Sequence, residues 1–282
     1  IDKKVNNNIE LTLDELKFLY KRGHKITGFG YWEDPRIKEI KRKRNERRDY
    51  SLIFNVKEEE VALSQEEWLN NPEKFKALTR SIDLGSLTSA DGLVLPQYVG
   101  GHIYLGHLTN ADGLVLPQHV GGHIYLDYLT NVDGLVLPQY IGGDLFLRSL
   151  ESAKGLIFPQ HVGGLIYLSS LTSAEGLVLP QHIGGGIDLG SLTSAEGLVL
   201  PQHVGGVINL RSLTSAEGLV LPQHVGDFIY LGSLTSADGL VLPHYFDLNK
   251  LECPYNIKEE IMNNPDKYYM APTEDDKKEI KR

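Results

Sequence analysis

From Leu87 onward, apolar and polar positions recur every 21 residues, in eight units that begin at Leu87, Leu108, Leu129, Leu150, Leu171, Leu192, Leu213 and Leu234. Counting columns from each of these leucines, column six is always Gly, column seven always Leu and column ten always Pro. Column four is Ala except for Val132, and column nine is Leu except for Phe158. Column thirteen is Val or Ile until Phe246, and columns seventeen and nineteen hold Ile or Leu through seven units. The alternation at columns seven and nine predicts a short strand, GLVL, ended by the proline, which has no N–H to give to a ladder. The alternation at columns seventeen and nineteen predicts a second strand, as in HIYL at 102–105. Gly-Gly at columns fourteen and fifteen predicts the turn ahead of it.

A unit of this size cannot bury its own apolar side, whereas stacked units can. The expected fold is mainly β: a parallel β-solenoid or leucine-rich-repeat-like rod of about eight 21-residue coils over residues 81–254. Eight coils at the spacing of neighbouring strands give a rod of ~40 Å. Residues 1–80 are expected to form an α+β N-terminal region and cap, and residues 255–282 a helical C-terminal cap with a charged tail, TEDDKKEIKR.

The flanks carry helix signals. Thr12 to Glu15 is a capping-box pattern ahead of a helix that Gly23 would stop, Asp34-Pro35 opens a helix to about Arg48, and Ser64 to Glu67 is a second capping box. YSLIFNV, residues 50–56, predicts a strand, and residues 256–270 predict a helix. EEWLNNPEKF at 66–75 is echoed by EEIMNNPDKY at 259–268. Both are expected to cap the rod, with Trp68 and Ile261 facing the end coils, because a bare end exposes core and unpaired strand edges.

The matching residues A-x-x-L-x-L-P-x-x-V, as at Ala174, Leu177, Leu179, Pro180 and Ile183, resemble bacterial leucine-rich repeats of the Treponema/BspA type. The likeness covers residues 81–254 and implies architecture, not activity. After column thirteen the chain departs from that family, with G-G-x-I-x-L in place of its usual segment and a shorter period. A parallel β-helix is the rival geometry.

Charge narrows the choice of partners. The chain carries a net −9, and residues 81–254 hold 15 Asp/Glu against 4 Lys/Arg, which argues against the repeat gripping nucleic acid. Nucleic acid is expected only through RIKEIKRKRNERR at 36–48, with Arg36, Lys41, Arg42, Lys43, Arg44, Arg47 and Arg48 as the basic contacts, unless these form a solvated helical face or dock on an acidic solenoid. The single cysteine, Cys253, excludes an internal disulfide framework and favours a reducing, cytoplasmic setting. No apolar run is long enough for a membrane helix. IDKKVNNN has no signal-like apolar segment and no initiator Met, so the chain is expected to be trimmed there.

No Walker loop, GxSxG, HExxH or CxxC occurs, so no enzyme activity, cofactor or metal is expected. Column twelve holds Tyr98, His119, Tyr140, His161, His182, His203, His224 and Tyr245, expected to stack as an aromatic ladder. Column five is acidic from Asp91 to Asp238, with Lys154 the exception, and is expected to be a solvated edge or a mimic of phosphates. Column eight, Val94 to Val241, should point outward, where it is covered by the N-terminal segment, forms a homo-oligomer face or reflects β-propensity alone. Differences between units collect in columns sixteen, eighteen and twenty. There, His102, Tyr104, His123, Tyr125, Asp127, Phe146, Arg148, Tyr167, Arg211 and Tyr230 are the expected partner-binding residues. The expected function is non-enzymatic binding of a macromolecule, most readily a protein. The alternatives are an acidic inhibitor of a nucleic-acid-handling protein, such as a phage counter-defence protein, and a structural, self-assembling spacer.

Overall fold

The computed structural model describes residues 1–20, 35–243 and 246–270. The stop at Gly23, Asp34, Tyr245 and the tail after Pro272 lie outside the described residues. The repeats wind into a β-solenoid of about eight turns with a 21-residue period. Each coil contributes one short strand to each of two nine-stranded parallel sheets. The first sheet runs from Val61–Ala62 and Ala77–Leu78 through Tyr98–Val99 and His119–Val120 to His224–Val225. The second runs from Ile82–Asp83 through Ile103–Tyr104 to Ile229–Tyr230 and Leu251–Glu252. Neighbours pair one period apart, as in Tyr98 with His119 and Ile103 with Ile124. Between Ile82 and Tyr230 no helix interrupts a coil, and each of these turns has two strands.

The first strand lies at columns twelve and thirteen, which corrects the expectation of a strand at GLVL. Among the described residues that stretch carries only the isolated bridges of Val220 with Val241 and, in the last unit, Leu242 with Tyr269. The N–H of its first leucine is committed to a turn, and the residue that follows the stretch has none. The column-seven N–H turns back to the column-four carbonyl, as from Leu114 to Ala111 at 3.0 Å, and column ten is Pro. Column-six glycine sits inside that turn with φ between 72° and 88°, a region that disfavours any other residue. Column-three Ser or Asn braces the turn from outside, accepting the column-five N–H, as Ser194 does from Glu196 at 3.1 Å.

Gly-Gly does lie between the two sheets, but for a different reason from turn conformation. A Cβ on Gly142 would lie 2.5 Å from the carbonyl oxygen of Gly121, so stacked coils meet backbone to backbone there. Inward leucines, alanines, valines and isoleucines of successive coils form one continuous core.

Among the described residues seven α-helices flank the rod: α1 Asp2–Asn6, α2 Leu13–Tyr20, α3 Pro35–Arg42, α4 Glu46–Phe54, α5 Gln65–Asn70, α6 Tyr255–Asn263 and α7 Pro265–Tyr268. The helix expected to reach Arg48 therefore breaks at 43–45, and the strand expected at 50–56 is mostly α4. Asn45 causes both corrections. It takes an extended backbone and its Oδ1 accepts the Arg48 N–H at 3.1 Å, capping a new helix. Tyr50 and Phe54, four residues apart, then share one helix face with ring centroids 5.7 Å apart.

The echoed segments occupy equivalent places. Trp68 and Ile261 are buried in the rod's core, as are Phe75 and Tyr268 at the next matching position. The C-terminal segment is also sewn to the last coil. Leu242 and Tyr268–Met270 exchange backbone hydrogen bonds at 2.8 and 2.9 Å, and Lys267 meets Asp238 at 2.9 Å.

Candidate interaction surface

The outer face of the second sheet brings column eighteen into a stack. Centroids of Tyr104 and Tyr125 are 4.6 Å apart, of Tyr125 and Phe146 4.4 Å, and of Phe146 and Tyr167 4.7 Å, with interplanar angles of 12°, 6° and 7°. These separations follow the strand spacing, because each ring is carried by the same position of a parallel ladder. The three tyrosines are partly exposed, while Phe146 is only 7% exposed. Arg148 roofs the far end: its guanidinium carbon is 4.4 Å from both the Phe146 and Tyr167 centroids, and it is fixed by Asp127 at 2.6 Å. Burial among these rings pushes the Tyr125 and Tyr167 hydroxyl pKa values upward.

Beside the rings, column sixteen is a ladder of a second kind. Ser81, His102, His123 and Asp144 each accept, through a side-chain atom, the backbone N–H of column sixteen in the following coil, at 2.7–2.9 Å. His102 and His123 accept through Nδ1, so both rings carry their proton on Nε2 in this arrangement. Their rings stack 4.6 Å apart.

The stripe ends where the sequence changes. Asp188 and Asn209 replace the rings, joined by a 2.7 Å hydrogen bond, and Tyr230 stands three coils beyond Tyr167 with Arg211 5.8 Å from its centroid. The ten expected residues therefore divide into one cluster on the first four coils and the separate pair Arg211 and Tyr230. One part of the face was not expected: His107 and Tyr128 stack 5.4 Å apart at the next corner, and Tyr128 is exposed. Column twenty-one, otherwise Ser from Ser149 to Ser233, carried that signal.

The basic segment is largely engaged within the N-terminal helices. Two nitrogens of Arg44 reach the buried Asp49 at 2.6 and 2.5 Å, Arg47 meets Glu67 at 2.7 Å, and Arg48 meets Glu10 at 2.8 Å. Lys43 donates to Asn6 at 2.8 Å and Lys41 lies over the Tyr20 ring at 5.5 Å. Arg36 and Arg42 are exposed on α3. This segment ties helices together and does not form one uniform cationic face.

The helices sit on the first sheet, not on column eight. Phe54 stacks on Tyr98 at 4.5 Å and meets His119 edge-on at 5.2 Å, while His119 stacks on Tyr140 at 4.3 Å. Between them lies a cavity of about 670 Å³ lined by Phe18, Tyr50, Phe54, His119 and Tyr140, with Lys17 also in its wall. Burial, with a smaller contribution from Lys17, pushes His119 down to about 4. Farther along column twelve, His182, His203 and His224 stack in the open at 5.6 and 4.7 Å. Among the described residues no group of three His, Cys, Asp or Glu side chains is placed to hold a metal ion. Burial raises the pKa of the Cys253 thiol. No described helix is long and apolar enough to cross a membrane.

No protein-family model, curated protein or solved structure matches the chain.

Proposed function

We propose that the chain is a non-enzymatic repeat protein that binds another protein through the aromatic ridge of its first four coils. The observation that carries this reading is the prestacked ring ladder from Tyr104 to Tyr167. A partner meets rings already ordered by the sheet, which lowers the conformational cost of binding. The rings cover one another's faces, and gaps of 4.4–4.7 Å leave no room for a base to stack between them. What the ridge offers is ring edges, tyrosine hydroxyls and the Arg148–Asp127 pair, which suit a protein surface with a polar rim.

The test is affinity for a partner captured from the source cell. Tyr104→Ala with Tyr125→Ala should weaken binding at least ~100-fold, as expected for two hot-spot rings. Asn209→Ala, two coils beyond the stripe, should leave binding within a few-fold. Unchanged affinity in a folded double variant overturns the reading.

A second reading rests on column five, where exposed carboxylates line one edge and only Asp238 meets a cation among the described residues. An acidic rod of this kind would occupy the nucleic-acid site of another protein. It predicts binding that falls steeply with salt and is competed by DNA or RNA, which the aromatic ridge does not.

A further inference from the structure

Column eight is the most exposed apolar feature of the rod. Val115, Val136, Ile157, Val178 and Val199 are 71–80% exposed, and none of the described segments lies over them. Every one is β-branched, and they repeat at the coil spacing. A surface that seats against all of them must repeat at the same spacing, and a second copy of this chain does so. Seven coils at ~4.8 Å and the seven residues of columns five to eleven at no more than ~3.3 Å give a strip of at most ~780 Å², close to the ~800 Å² per partner of a standard interface.

Charge chooses the orientation. The ladder is flanked on one edge by the exposed acids of column five and on the other by the exposed glutamines of column eleven, Gln97 to Gln223. Two copies face to face with rods antiparallel would set acid ladder against acid ladder. With rods parallel, each acid ladder lies opposite the partner copy's neutral glutamines. We propose that two copies pair through the column-eight ladder, rods parallel, about a two-fold axis along their length. This pairing is independent of the aromatic ridge, which lies on a different face.

Sedimentation of the 31.5 kDa chain tests it. The protein should sediment at twice that mass, and Val136→Lys with Val178→Lys should return it to the monomer with an unchanged circular dichroism spectrum. In a Cys253→Ser background, Val115→Cys should then be joined to itself by a short thiol cross-linker. A wild-type chain still monomeric at about 1 mM overturns the proposal, as does a dimer indifferent to the lysines. Cross-linking only when Val115→Cys is mixed with Val199→Cys overturns the parallel arrangement. If the lysine variant unfolds, Val136→Thr with Val178→Thr replaces it, with at least ten-fold weaker dimerisation expected and no weakening overturning the proposal.

Discussion

Gly142 stands in a column that is glycine in seven units and Gly92 in one that is glycine in all eight, yet they hold their glycines for different reasons. At Gly142 a methyl group would collide with the backbone of the coil before it, and that backbone cannot withdraw without parting the two coils. At Gly92 nothing lies within 4 Å of an added Cβ, and only the φ of 72° resists a side chain. Gly142→Ala should therefore lower stability by about 3 kcal/mol, and Gly92→Ala by about 1 kcal/mol. Urea titrations of the two variants measure the gap, and equal losses would contradict the assignment. The sequence made both glycines visible as columns but did not separate their causes. Close approach between coils depends on how the sheets bend, and no residue within the unit encodes that alone. His107 and Tyr128 were legible in the same way, as departures from serine in one column, once the corner they occupy was known.

At the scale of elements, hydrophobic period was a better guide to which side chains face inward than to which backbone pairs. Leu114 and Leu116 are buried as the alternation of GLVL implied, but the turn takes the first N–H of that stretch and Pro117 has none. The paired strand moved to His119–Val120, where both N–H groups are available. Residues 50–54 were misread because Leu52 and Ile53 suit a strand locally, while the Asn45 cap and the Tyr50–Phe54 pair decide for a helix. That helix docks on a neutral imidazole. His119 is held at about 4, below its ordinary 6.5, so between these values the unfolded chain binds more protons than the folded one. Its contribution is full above pH 6.5 and is lost as pH falls toward 4, by about 3 kcal/mol at most. His119→Tyr, the residue type of the coils on either side, should flatten that part of the pH–stability curve. Thermal melts of both proteins from pH 7 to 4 measure it, and identical slopes would show that another group is responsible.

For the whole molecule, each coil touches only its neighbours, so stability is local along the axis and the ends decide where unfolding begins. Trp68 closes the N-terminal end of the core. Trp68→Ala should cost about 3 kcal/mol or more, felt first by the nearest coils. Hydrogen exchange should show lost protection at Val99 and Ile103 while Ile208 and Ile229 keep theirs, whereas uniform loss would mean the rod unfolds as a single unit. The architecture was legible because its period is so regular. The column that stacks Tyr104, Tyr125, Phe146 and Tyr167 was legible for the same reason. The placement of the N-terminal helices on the first sheet was not, since it depends on contacts between distant segments.

The dodecapeptide LTSAEGLVLPQH, identical at Leu171, Leu192 and Leu213, acquires a further meaning from this layout. All three copies start beyond Tyr167, the last ring of the stack. A unit gained or lost among them would slide the C-terminal cap by one strand spacing, ~4.8 Å, and leave every ring where it is. The chain is thus built like an adjustable ruler with its ring stack fixed at one end. Whole steps can be added or removed in the part that carries none of those rings.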